Sequence, residues 1–96
     1  MKFKYPLSQE LKDKASSFDE FANGGAQATL KLKDGSIYEE ALLSNCSAII
    51  ALRGHEDLPF AISEIIEIYQ TEKDKKPTNR GGWDFWDDWK NKLNTT

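Results

Sequence analysis

The sequence predicts a mainly β domain of the α+β class. An N-terminal helix leads into a strongly bent antiparallel sheet of four to five short strands, or a small barrel, and a short Trp-rich helix closes the chain. Three observations carry this. The apolar period is helical up to Gly24-Gly25, then switches to two. Tight-turn residues punctuate the segment beyond the switch. A helical period returns at GGWDFWDDWK, which holds all three tryptophans.

Residues 8–23, SQELKDKASSFDEFAN, read as one amphipathic helix. Leu11, Ala15, Phe18 and Ala22 fall on one face, with Phe21 beside it. Ser8 suits the N-cap, where its hydroxyl accepts an orphan backbone N–H. Gly24-Gly25 offers the positive φ that ends a helix.

The sheet segment is expected over residues 26–70. Ala26, Ala28, Leu30 and Leu32 alternate with Gln27, Thr29, Lys31 and Lys33, which predicts one buried and one wet face. Asp34-Gly35 then marks a hairpin turn. The return strand alternates imperfectly because Glu39 has the inward parity, so a bulge or bend is expected near 39–41. Asn45 and its neighbours turn the chain into CSAIIALRG, a third strand in which Cys46 reads as a small apolar residue. RGHEDLP is a connection. FAISEIIEIYQ supplies one or two further strands, with a turn at its Ser-Glu pair. Residues 71–82, charged and carrying Pro77 and Gly81-Gly82, read as an exposed linker.

For residues 83–94 a wheel at about 100° per residue places Phe85, Trp86, Trp89 and Leu93 on one side and Asp84, Asp87, Asp88 and Asn91 on the other. Early aspartates and late lysines match the helix dipole. The aromatic face is expected to pack on the host domain, with Trp83, at the edge of the stripe, the most exposed.

With these elements in place, LKLKDGSIYEEALLSNCSAIIALRG resembles the first three strands of Sm-like and other SH3-like small barrels, and FAISEIIEIY resembles their closing pair. The likeness spans about residues 8 to 70 and is one of strand pattern. The Sm resemblance implies an RNA-binding barrel, alone or assembled into a ring. Ser44-Asn45-Cys46-Ser47 stands where the Sm pattern has its RNA-reading Asp-x-x-Met-Asn loop, and Ala41 or a neighbour stands where it has a strand glycine.

Composition narrows function further. Ninety-six residues make one domain, and no apolar run approaches a membrane span. The N-terminus lacks the apolar core of a secretory signal, and Cys46 has no disulfide partner within the chain, which points to a reducing, cytoplasmic setting. Net charge is −3, and residues 26–70 carry three bases against seven acids, which repels phosphate and favours a basic partner. His55, among the acids of RGHED, has the chemistry of a general base or metal ligand, but no second His or Cys completes a metal set, so a solvated loop is the favoured reading. No nucleophile elbow, phosphate loop or zincin motif occurs. No catalytic residue, metal or cofactor is expected, and neither a nucleic-acid nor a membrane partner.

The whole profile resembles the bacterial immunity proteins of contact-dependent growth inhibition systems, which are small, acidic and non-enzymatic. That resemblance implies a cognate basic toxin or nuclease domain as partner. The expected partner-binding residues are Glu39, Glu40, Glu56, Asp57, Glu64, Glu67, Trp83, Asp84, Asp87 and Asp88.

Overall fold

A computed structural model describes residues 3–22, 24–78 and 81–86. Its elements run α1 (Gln9–Ala15), β1 (Gly25–Leu32), β2 (Ile37–Ser44), β3 (Ala48–Leu52), a 3-10 turn (Ile62–Glu64), β4 (Ile65–Tyr69) and α2 (Glu72–Lys75). The strands form one antiparallel sheet in the order β3-β2-β1-β4, left open rather than closed into a barrel. The fold is therefore mainly β with flanking helices, as the period switch predicts.

The hairpin forms as the sequence dictates. Gly35 takes φ +91°, and the Asp34 carboxylate accepts the Ser36 N–H at 2.9 Å. The expected bulge is present: Ala28 pairs with Ala41 but Leu30 with Tyr38, so Glu39 and Glu40 together oppose Thr29. Glu40 sits at φ +59°, the left-handed conformation that lets the extra residue fit. The β2–β3 turn places Asn45 and Cys46 at φ +52° and +55°. Cys46 therefore belongs to that turn, half-buried, and not to the strand the sequence suggested.

The first helix is seven residues long and not sixteen. Ser8 caps it, accepting the Leu11 N–H at 3.3 Å. It stops at Ala15 because Ser16 turns its hydroxyl onto the Asp13 carbonyl at 2.7 Å, and tertiary bonds then claim the chain. The Gln70 amide clamps both backbone groups of Asp19, each at 2.9 Å. Phe18 then packs on one face of the sheet and Phe21 on the other, which a continuous helix with both on one side could not achieve. Gly24 does take a positive φ of +79°, but in the turn into β1.

Both faces of the sheet are covered. On one, Ala26, Ala28, Leu30, Ala41, Leu43, Ile49 and Ile68 pack under Leu7, Leu11 and Ala15. On the other, Leu42, Ile50 and Ala51 lie under Trp83, with Phe21 and Phe85 alongside. The wet face expected of β1 is dry at Gln27 and Thr29, which are 0% and 2% exposed. The cause is α2, within the stretch expected to be a linker. Thr71 and Asp74 form a capping box, and Asp74, itself 2% exposed, accepts Gln27 Nε2 and Thr29 Oγ1, each at 2.8 Å, and the Thr71 N–H at 2.9 Å.

Residues 83–86 are not helical. They follow Gly82, at φ +83°, as an irregular strap across β2 and β3; the remainder of the expected 83–94 helix lies outside the described residues.

Candidate protein-binding surface

The strap is fixed by Arg53, just after β3. Its guanidinium lies 4.1 Å from the centroid of the Trp83 ring, donates to the Gly81 carbonyl and meets Glu40 at 3.1 Å. Glu40 also faces Lys73 at 3.7 Å, and its carbonyl accepts the Trp83 indole N–H at 2.8 Å. Phe21 stacks on Trp83 with centroids 6.0 Å apart. Trp86 donates its indole N–H to the His55 carbonyl at 3.1 Å and takes Tyr5 edge-on at 5.5 Å. Both indole donors thus find backbone acceptors within the domain, as buried tryptophan requires. Trp83, expected to be the most exposed, is 8% exposed, because the bulge at Glu40 delivers a carbonyl and a carboxylate to the spot where the indole and its cation meet.

The expected partner-binding acids of the sheet segment, residues 39–67, fall into three groups. Glu40 is half-buried and occupied by Arg53 and Lys73, so it holds the strap. Glu56 and Asp57 lie in the loop after β3. There the Asp57 carboxylate accepts the Tyr5 hydroxyl at 2.5 Å and the Leu58 N–H at 2.9 Å, with Lys4 at 3.4 Å. The Tyr5 bond first, then the Leu58 N–H, holds the Asp57 carboxyl below the usual carboxylate range.

The third group lies at the hairpin end, where neither α2 nor the strap reaches. Ile37 pairs with Lys31, and Lys31 with Glu67, so these three make one row on the outward face. Glu39 is exposed in the neighbouring bulge, and Glu64 is exposed just before β4. Ile37 is 56% exposed, the largest exposure among the big apolar side chains described. Glu39, Glu56, Glu64 and Glu67 make no ion pair among the described residues. Asp84 is exposed on the strap; Asp87 and Asp88 lie outside the described residues.

His55 is half-buried with its ring 5.9 Å from that of Tyr38, and no hydrogen bond to its ring forms among the described residues. No cluster of three or more His, Cys, Asp or Glu able to hold a metal occurs among them either. The Cys46 thiol is pushed up from its ordinary pKa by burial and then by the charge of Glu20, which reduces its nucleophilic fraction. No described helix is long and apolar enough to cross a membrane.

The sequence pointed to the acids but not to Arg53, Ile37 or Asp74. An exposed isoleucine in a strand and a lone arginine in a loop carry no spacing signal. Comparison with protein-family models, curated proteins and solved structures finds no match to this chain.

Proposed function

We propose that this chain is a non-catalytic protein-binding module of the immunity type, which binds a basic toxin or nuclease domain and occludes it. The observation that carries the reading is the hairpin end of the sheet. An isoleucine stands open there on the outward face, in one row with Lys31 and Glu67 and two positions before Glu39. Glu64 lies by a groove on the other side of the hairpin. None of these three acids is engaged by an internal cation among the described residues. An exposed apolar side chain at the same end of the sheet as unpaired carboxylates suits a basic partner: the carboxylates steer the encounter, and the isoleucine supplies area to bury.

The bent sheet is read as a variant of the Sm-like and SH3-like small-barrel pattern, put to protein binding. An RNA-binding role is the weaker reading. The acids would repel phosphate, and the aromatic side chains of the strap are turned onto the domain rather than offered to bases.

The test is affinity capture from an extract of the source cells at low and moderate salt, followed by a nuclease assay on the captured protein. The expected result is a basic protein, held less tightly as salt rises, whose activity falls to nothing at equimolar inhibitor. Capture should be lost in Glu39→Lys/Glu67→Lys. Retention of RNA in preference to any basic protein would refute the proposal.

A further inference from the structure

We propose that the groove at the hairpin end of the sheet binds an arginine side chain of the partner protein, its guanidinium lying against Tyr38 and Phe60 and between the carboxylates of Asp34 and Glu64. The inference rests on the protein-binding reading above and specifies how the partner is gripped.

The groove has a volume of ≈ 530 Å³, ample for one long side chain. Its aromatic part is formed by Tyr38 and Phe60, whose ring centroids stand 4.8 Å apart with their planes inclined at 50°. Each ring is partly buried against the main core and lines the groove with the remainder. The His55 ring meets that of Tyr38 edge-on, with centroids 5.9 Å apart. Tyr38 is therefore a packed surface with one side left to a ligand.

The acids are held beside it by backbone. The Lys33 N–H donates to the Glu64 carbonyl at 2.9 Å, which ties the 3-10 turn to the hairpin. Asp34 accepts the Ser36 N–H, a bond that holds its carboxyl below the usual range and keeps it charged. Lys33 is the one base on the lining. It is exposed and makes no ion pair with either acid among the described residues, so Asp34 and Glu64 against Lys33 leave a net charge of −1.

Chemistry then selects the occupant. An anion meets two carboxylates. A purely apolar group would strip water from them without replacing its hydrogen bonds. A lysine ammonium satisfies charge but has no flat face. A guanidinium is planar, stacks on aromatic rings and donates in a fork to carboxylates, so it uses both halves of the groove.

The experiment is a titration of the full chain, followed by NMR, with the blocked peptide Gly-Arg-Gly and its citrulline counterpart, which has the same shape without the charge. The arginine peptide should shift the ring resonances of Tyr38 and Phe60 saturably, and the citrulline peptide should not. Glu64→Gln, at an exposed position that the core does not need, should weaken binding about threefold or more, as should Tyr38→Leu. Absence of ring shifts, or equal shifts from both peptides, would overturn the groove. The two proposals fail separately. A captured basic protein whose affinity is unchanged by Glu64→Gln and Tyr38→Leu sinks the groove and keeps the immunity reading. Arginine-specific ring shifts without any captured basic protein keep the groove and sink that reading.

Discussion

Replacing Asp74 by alanine removes the acceptor for three donors at once. Gln27 Nε2 and Thr29 Oγ1 belong to side chains at 0% and 2% exposure, so water cannot take over the lost bonds without opening the structure. Each buried donor so orphaned costs about 1–3 kcal/mol. The reciprocal half of the capping box, in which the Thr71 N–H donates to the Asp74 carboxylate, goes with it for about 1 kcal/mol more, while the Thr71 hydroxyl still accepts the N–H of residue 74. The sum is about 3–7 kcal/mol, set against a total of about 5–15 kcal/mol for a domain. At a urea dependence of about 1 kcal/mol/M, the midpoint of unfolding falls by several molar. Asp74→Asn is the informative partner, because Gln27 Oε1 is buried without a hydrogen-bond partner among the described residues. When the Gln27 amide flips, that oxygen accepts from the new Asn amide, while the Asn oxygen still accepts from Thr29. The cost drops to about 1–2 kcal/mol. Urea unfolding followed by circular dichroism measures both. A loss below about 1 kcal/mol in Asp74→Ala, or equal losses in the two variants, would refute the argument.

Other consequences are as direct. Arg53→Ala removes the cation from Trp83 and the partner of Glu40, both partly buried, and should cost about 1–3 kcal/mol and increase iodide quenching of tryptophan fluorescence. Cys46→Gly replaces a side chain at φ +55° by the residue that adopts this conformation freely, and should raise the urea midpoint by an amount equivalent to about 1 kcal/mol. The Tyr5–Asp57 bond should show in the pH dependence of stability. The Asp57 pKa is depressed, so its contribution is complete above the usual carboxylate value and is lost as pH falls through the depressed one. The Tyr5 pKa is raised, first by the same bond, so that contribution is complete below the usual tyrosine value and lost as pH rises through the raised one. Tyr5→Phe should therefore flatten both limbs of a plot of unfolding midpoint against pH.

Much of the sheet was legible because its signals are local. The strand β1, the turn at Asp34-Gly35 and the bulge at the parity conflict of Glu39 each reflect the chain's own geometry, and each is realised, although both faces of β1 are buried over residues 26–30. The helix was overextended for the same reason. The 3.6 period through Phe18 and Ala22 is real, but the backbone of Asp19 is claimed by Gln70, fifty-one residues away. Gln27 and Thr29 read as solvent-facing because polarity in a strand usually means water, whereas here it means a buried carboxylate from α2. One signal for α2 was present: Thr71 and Asp74 have the [ST]-x-x-[DE] spacing of a capping box. The charged stretch around it masked that signal. The aromatic wheel identified side chains that pack, and the structure meets that need with an irregular strap, because Gly81-Gly82 lets the chain lie flat and Arg53 supplies the anchor.

That difference between strap and helix bears on where a partner can bind. A strap whose indoles both donate to backbone, and whose first ring carries a cation, is already satisfied; removing it would expose Leu42, Ile50 and Ala51 and break the Trp83 and Trp86 bonds together. The opposite face is closed by α1, and the free side of β3 is taken by the N-terminal segment through Tyr5 and Leu7. What these covers leave at the hairpin end is Ile37, the Tyr38–Phe60 groove and the acids between them. An apolar anchor on the outward face and an aromatic, acidic groove at the core's edge lie on either side of one β-hairpin. A partner that straddles the hairpin would engage both, so a double variant, Ile37→Ser with Glu64→Gln, should weaken binding by about the product of the two single effects. Equal affinity in the double variant and in either single one would show that only one side is used.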